Sequence, residues 1–332
     1  MTSNYTALSS GKTKILCDPV MDEDTDLETH SHIILTHLDF DALDFLENYS
    51  SEHSIYVSFE FFKLIQKLMR DNLLEPFHHN LKILPYGYTV SLGSIQVEAF
   101  PNDDGQYGSM ALIAAGKKQT VGYCDAFYLR GNHKKRIKQW KRAFCQANLE
   151  VLILGSKIAP LSEQKNFLTE NGMQEMLAKF ISKNFNTDPL TVLLSPWDPE
   201  RLYRYDKTAK DCGRPIVWDK SYLQLLRAFY PFASFYSAQN LPKDPEKMLV
   251  QVEQSKQLAG TTIFFDPAIL HPNSVDVSGL IYQNQLCALT QTELKEFTAD
   301  IAAKEVIMKT DRSLAQNHLI PKKWLQSSHL SL

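Results

Sequence analysis

The chain has 332 residues, 44% of them hydrophobic and 22% charged, with a formal net charge of −3. That is the composition of a soluble globular protein, long enough for one large α/β domain or two ordinary ones. The near-neutral charge excludes a global field that gathers nucleic acid, so any such contact needs a local basic patch. Five scattered cysteines (Cys17, Cys124, Cys145, Cys212, Cys287) show no Cys-x-x-Cys spacing. Neither a zinc knuckle nor a disulfide framework is indicated, and free thiols in a reducing compartment are expected. No basic-then-apolar leader and no apolar run near the roughly 20 residues of a membrane span is present, so the reading is cytoplasmic, with no membrane partner.

Taken in order, residues 5–20 read as two short strands around Ser9-Ser10-Gly11-Lys12, and 21–28 as an acidic loop. Ile33–Thr36 is an apolar strand, Ala42–Tyr49 a short helix and Ser54–Ser58 another strand. An amphipathic helix then runs from Phe59 to about Leu74, with Phe61, Phe62, Leu64, Ile65, Leu68 and Met69 at helical spacing. Residues 81–124 are a run of strands interrupted by the polar loop 101–109. A basic helix spans Asn132–Ala147, and Leu149–Leu154 is a fully apolar strand. Beyond it the pattern changes to alternating helix and strand: helix 163–184, strand 190–194, helix 200–212, stop at Gly213-Arg214, strand 215–218, helix 221–229, loop and helix 240–260, strand 261–265. That alternation predicts a small parallel sheet. A strand at 279–282, a helix at 291–303 and a strand at 305–309 close the fold. The last dozen residues read as a tail.

The chemistry concentrates where the strand Ile33–Thr36 ends. His37, Asp39 and Asp41 follow at alternate positions, so extended backbone points all three the same way. One imidazole and two carboxylates within five residues is a donor mix for a divalent cation. The plainer alternative is a strand-to-helix turn with Asp41 as the N-cap of the next helix. The one concentrated basic patch is His133-Lys134-Lys135-Arg136 with Lys138, Lys141 and Arg142. It is either a solvated helix face or a phosphate-backbone contact. Trp197, Tyr203, Tyr205 and Trp218 are either core or a stacking surface.

These features together resemble the metallo-β-lactamase superfamily. Its first motif, Thr-His-x-His-x-Asp-His, is matched by Thr36-His37-Leu38-Asp39-Phe40-Asp41-Ala42. The next, Asp-His-x-x-x-Gly-Ser, is matched by Asp103-Asp104-Gly105-Gln106-Tyr107-Gly108-Ser109, with Asp104 at the histidine. Asp125 stands at the metal-bridging aspartate, and Val151–Ser156 resembles a strand whose glutamate has become Leu154. The second half is similar to the beta-CASP domain of ribonuclease J and related nucleases, most closely over Arg201–Leu226. Later ligand histidines fall at about Ala288 and at Lys309.

The resemblance implies an αββα metallo-β-lactamase sandwich from residues 1–160 and 261–320, with a reduced beta-CASP-like insertion at 161–260 and a tail at 321–332. Active members hydrolyse phosphodiesters with two zinc ions, which needs several neutral imidazoles. Here one imidazole, His37, and the acids Asp39, Asp41, Asp104 and Asp125 remain, while Ala42, Ala288 and Lys309 are degenerate ligand positions. One expectation is a catalytically silent scaffold that binds RNA or single-stranded nucleic acid through Lys134, Lys135, Arg136 and Lys138, with no cofactor. A second is an enzyme with Asp41 in a catalytic role and an oxygen-rich site for one Zn²⁺, Mn²⁺ or Mg²⁺. In a third, Lys309 pairs with the acids in place of a metal, which is one way of being silent. An interaction module with no nucleic-acid role, forming a homo-oligomer or pairing with an active homologue, remains a different-class alternative.

Overall fold

Strand Thr6–Ser10 (β1) turns at Gly11, whose φ of +58 suits a residue without a Cβ, and pairs antiparallel with Thr13–Cys17 (β2). This computed structural model describes residues 6–20, 31–49, 53–155, 160–161, 169–186, 190–241, 248–251, 262–265, 289–308 and 329–331. The chain forms two compact units: Met1–Lys63, Phe77–Phe167 and Leu286–Leu332 make the first, Leu64–Pro76 and Leu168–Gln285 the second. Both are mixed assemblies of strand and helix.

In the first unit, β2 is followed by Ser31–Ile34 (β3), helix Phe40–Asn48 (α1), Ile55–Val57 (β4), helix Phe59–Arg70 (α2, whose later turns belong to the second unit) and Leu81–Ile83 (β5). Strands β2 to β5 run parallel, with α1 and α2 as the crossovers. Parallel strands need cover on both faces; Ile33 and Ile34 are accordingly 0% and 1% exposed. Then come Thr89–Leu92 (β6), Ile95–Pro101 (β7), Met110–Ala115 (β8), Thr120–Cys124 (β9), helix Lys134–Gln146 (α3), Val151–Leu154 (β10) and the short Pro160–Leu161 (β11).

The second unit supplies helix Glu170–Lys183 (α4), Leu190–Leu193 (β12), helix Pro199–Asp211 (α5), Ile216–Trp218 (β13), helix Lys220–Phe229 (α6), Tyr236–Ser237 (β14), Leu249–Gln251 (β15) and Thr262–Phe265 (β16). The first unit ends with Leu289–Thr290 (β17), helix Gln291–Ile301 (α7), Glu305–Met308 (β18) and His329–Ser331 (β19).

Two six-stranded sheets build the first unit, in the orders β19-β1-β2-β3-β4-β5 and β18-β10-β9-β8-β7-β6. One core joins them: Leu8, Ile15, Cys17 and Ile34 of the first sheet pack with Val97, Leu112, Val121 and Ile153 of the second. Helices α3 and α7 cover the far side of the second sheet through Ile137, Trp140, Phe144, Leu294 and Phe297. Helix α7 starts with a capping box between Thr290 and Glu293.

Residues 329–331, assigned to a tail by the sequence reading, instead extend the first sheet by pairing parallel with β1. An edge strand's free amides and carbonyls are the reason such a segment is taken up. Of the later ligand positions, Ala288 and Lys309 lie outside the described residues, as does the strand expected at 279–282.

All five strands of the second unit are parallel, in the order β14-β13-β15-β12-β16. Its boundary differs from the sequence reading. Residues 262–265 were assigned to the other domain, but they pair with β12 and so belong to this sheet. Gly213 ends α5 with φ +74. Arg214, 0% exposed, donates to the carbonyls of Asn184 and Phe185 just past α4 and of Met248 before β15. Trp197, Tyr205 and Trp218 are buried, and Trp218 Nε1 donates to Asp206 at 2.9 Å, so these aromatics are packing residues. Tyr203 stacks on Tyr230 at 4.2 Å.

At the start of α5, Asp198 accepts from the amides of Glu200 and Arg201. Burial pushes its carboxyl up to about 7; Glu170 and Glu200 add to the rise, and Arg201 opposes it. An acid with a raised folded pKa favours the folded state below its unfolded pKa, and that contribution is lost as pH climbs to about 7. Melting of the second unit should therefore fall between pH 5 and pH 8 by an amount worth a few kcal/mol, and Asp198→Asn, which still caps the helix, should flatten that decline. Thermal melts of both forms at the two pH values check this.

Candidate functional site

Strand pairing brings five chain segments to one end of the first unit. Cys17 of β2 pairs with Ile34 of β3, and the next amide, Asp18 N, donates to Ile34 O at 2.9 Å. Cys124 of β9 pairs with Leu154 of β10, placing Asp125 beside Gly155. A Cβ on Gly155 would sit 2.0 Å from Asp125 O, so this approach requires glycine. Met110 N donates to Thr36 O at 2.8 Å, tying the start of β8 to the same end.

At that end lies a buried polar cluster. His37 Nε2 is 3.2 Å from Asp39 Oδ2 and 3.6 Å from Asp125 Oδ2, and its Nδ1 is 3.2 Å from Thr36 Oγ1 and 3.8 Å from Asp18 Oδ1. Asp18 accepts from Thr36 N at 2.7 Å, from Thr36 Oγ1 at 2.6 Å and from Tyr123 OH at 2.8 Å. The Tyr123 hydroxyl also lies 3.2 Å from Asp125 Oδ1. Burial, reinforced by Asp125 and Asp18, pushes the Tyr123 phenol well above its ordinary value, so it remains a proton donor. Asp18 has φ +46, a left-handed conformation that Asp tolerates and that its three hydrogen bonds hold in place.

The structure therefore joins His37, Asp39 and Asp125, and adds Asp18, Thr36 and Tyr123, which the sequence reading did not single out. Asp18 follows an apolar strand just as His37 does, so the strand-end criterion applied to both; what was missing was the pairing of β2 with β3. Asp41 is exposed in the first turn of α1. Of the two acids, it is Asp39 that caps α1, accepting from Ala42 N at 2.8 Å in extended backbone, the geometry a cap requires. Asp104 is buried and turns one oxygen to Gln106 N at 2.9 Å, an Asx-type turn within its own loop. Its neighbour Asp103 accepts from His133 N at 2.6 Å and so holds the entry to α3.

A two-metal centre needs several imidazoles with free lone pairs and open coordination positions. Among the described residues one imidazole stands here, and the oxygens of Asp18, Asp39 and Asp125 face N–H and O–H groups of the chain. Among the described residues, no group of three or more His, Cys, Asp or Glu side chains is arranged to hold a metal ion. The described residues do not fit the two-metal set.

The entry to α3 is tied to the loop after β7, where Asp103 accepts from His133 N. Asn102 receives Trp140 Nε1 on its side-chain oxygen at 3.1 Å and the Arg136 guanidinium on its carbonyl at 3.3 Å, and its own amide donates to Ala126 O at 2.7 Å. Arg136 is thus partly engaged in fixing the helix. Lys134, Lys135, Lys138 and Arg142 are exposed, and no acidic residue occurs in the helix. Lys141 is drawn away, to Asp300 and the face of Phe297. Arg130, in the loop after Asp125, pairs with Glu293 of α7. Among the described residues, Cys17, Cys124, Cys145 and Cys212 form no disulfide. No helix among the described residues is long and apolar enough to cross a membrane.

No protein-family model matches the chain, and no curated protein matches it. Among solved structures, a protein of unknown function from Enterococcus faecalis V583 superposes with a TM-score of 0.68, covering 98% of this chain and 94% of that chain at 17% identity. The two share a fold. Zn²⁺-bound PqqB from Methylobacterium extorquens aligns over 46% of this chain and 60% of that chain, at 11% identity and a TM-score of 0.33, too low for a common fold.

Proposed function

We propose that the chain is a ribonuclease J-like metallo-β-lactamase homologue, with a reduced beta-CASP-like second unit, that has lost two-metal hydrolysis and serves as a scaffold binding RNA or single-stranded nucleic acid. The motif order from Thr36 to Asp125 supports the kinship, as does the stacking of two mixed sheets with helices on the outside.

The observation that carries the binding role is the outer face of α3. Lys134, Lys135, Lys138 and Arg142 project from a helix without acids, and its inner face is clamped by Asn102 onto the loop leading to Asp104. Cations fixed on a rigid element are what a phosphate backbone is held by, and such contacts position the strand without reading its sequence.

The expected result is a gel shift with single-stranded RNA that weakens steeply with salt. Changing Lys134, Lys135 and Lys138 together to Glu should lower the slope of log affinity against log salt by roughly 2, at about 0.7 per phosphate contact on a single strand. An unchanged slope would remove α3 from the interface. Absence of any shift would leave the protein-interaction role, as a homo-oligomer or beside an active homologue, as the reading to pursue.

A further inference from the structure

We infer that the second unit carries a stacking site of its own for single-stranded nucleic acid, built from the turn Tyr230–Ala233 and the outer stripe of α5. The inference rests on reading the chain as a nucleic-acid scaffold, and it goes further by naming the residue that takes a base.

Tyr203, Lys207 and Lys210 follow one another at successive turns of α5 and so share one face of that helix. The chain leaving α6 is laid along this stripe. Tyr230 stacks on Tyr203 with ring centres 4.2 Å apart, and Phe235 meets the Tyr203 ring edge-on at 6.1 Å. Lys207 Nζ stands 4.6 Å from the centre of the Tyr203 ring. Lys210 Nζ donates to Ser234 O and to the buried Asp206, and lies 5.4 Å and 5.5 Å from the rings of Phe235 and Tyr236. Residues on both sides of the turn are therefore fastened to α5.

Phe232 is left out of this packing. Ala233 N donates to Tyr230 O at 3.1 Å, which closes a four-residue turn, and Pro231 at its second position fixes φ. Phe232 holds the third position and is 101% exposed. The ring adds no buried area to the fold, so packing does not account for it. A proline turn anchored on both flanks holds it out at little cost in freedom when something binds to it.

Charge selects the partner. Lys207, Lys220 and Arg227 are exposed, and the sequence from Lys220 to Leu241 holds no Asp or Glu. Of the nearby acids, Asp206 is buried against Lys210 and Trp218, Asp219 caps the opposite end of α6, and Asp211 is exposed at the end of α5. A nucleotide strand satisfies both features of this surface. Every base has a flat face for Phe232, and its phosphates are the counter-charge for Lys207 and Arg227. An apolar protein groove would take the ring but leave those cations unmatched.

The test uses the full chain and a short single-stranded RNA carrying a fluorescent purine analogue that stacking quenches. A second strand has the same phosphates and abasic sugars. Binding to the wild type should quench the analogue. Phe232→Ala should abolish the quenching and weaken binding by about tenfold or more, with the salt slope unchanged. Its melting temperature should equal that of the wild type, because the side chain is fully exposed. Wild type and Phe232→Ala should bind the abasic strand alike. Lys207→Gln should instead lower the salt slope by about 0.7.

If the wild type binds RNA and Phe232→Ala matches it in affinity and quenching, the stacking site is overturned while the reading of α3 stands. If the wild type binds no RNA, both fall. If Phe232→Ala alters the sedimenting mass of the protein and leaves RNA affinity unchanged, the turn is a protein contact and the inference is overturned in that direction.

Discussion

Arg201→Ala should destabilise the second unit by about 3–5 kcal/mol, the cost of leaving buried carboxylates without their partner. Arg201 is 2% exposed. Its Nε donates to Glu170 Oε2 at 3.2 Å, a second guanidinium nitrogen meets Glu170 Oε1, and Asp198 Oδ2 lies 3.7 Å away. Glu170 opens α4 and Asp198 caps α5, so the one guanidinium joins the starts of two helices. Removing it leaves two acids facing each other in a dry interior. Relief then comes from uptake of a proton by one of the acids or from local unfolding at the helix starts.

Removing the whole pair should cost much less. In Arg201→Met with Glu170→Gln, Asp198 no longer faces a second buried carboxylate, and methionine fills most of the arginine stem's volume. The double variant should therefore be more stable than Arg201→Ala alone, which a simple count of lost contacts does not predict. Urea unfolding followed by hydrogen exchange of the β12 and α5 amides separates this unit's response from that of the first. If Arg201→Ala costs less than about 1 kcal/mol, the pair is solvated in solution and contributes as little as a surface pair.

The contrast between the two units shows what one sequence can convey. Alternation of apolar runs with amphipathic stretches was enough to place α4, β12, α5, β13 and α6, because a parallel sheet buries both faces of each strand and leaves a continuous apolar run. Strand β15 has no signal of its own in the sequence: three residues after a polar stretch carry no period. Strand β19 escaped for a different reason, since it is strand only by virtue of β1 beside it.

In the site, His37 stood out because it follows an apolar strand, and Asp125 because the resemblance places it at the metal-bridging aspartate. The sequence reading placed the helix cap at Asp41, which directly precedes the first apolar helical position, and the structure moves it to Asp39. The backbone decides it, as Asp39 is extended and Asp41 already lies in the first turn. Asp18 and Tyr123 gain meaning only when β2 and β9 deliver them to one point, 105 positions apart in the chain. A motif search that starts from known ligand spacings has no reason to look for a tyrosine.

Trp140→Ala should cost the first unit about 3–5 kcal/mol as a cavity in the core, with a further 1–3 kcal/mol from the buried Asn102 oxygen it orphans. The indole is 0% exposed and lies 4.9 Å from Phe144, 5.4 Å from Phe127 and 5.5 Å from Phe297. Its Nε1 reaches Asn102, whose amide in turn holds Ala126, next to Asp125. The ring is thus both packing and latch. It seats α3, and through Asn102 it fixes the loop after β7 to the loop after β9.

Trp140→Phe separates the two roles, keeping most of the aromatic contact and losing the N–H. It should cost less than the alanine variant while still loosening Asn102. Combined with Asn102→Ala, it should show a coupling energy of about 1 kcal/mol, as expected of a shared hydrogen bond. If α3 is the surface that meets a phosphate backbone, Trp140→Phe should also weaken RNA binding with the salt slope unchanged, because every lysine is present but the face carrying them is less firmly held. A reduced slope would mean instead that the indole's neighbours touch the strand directly.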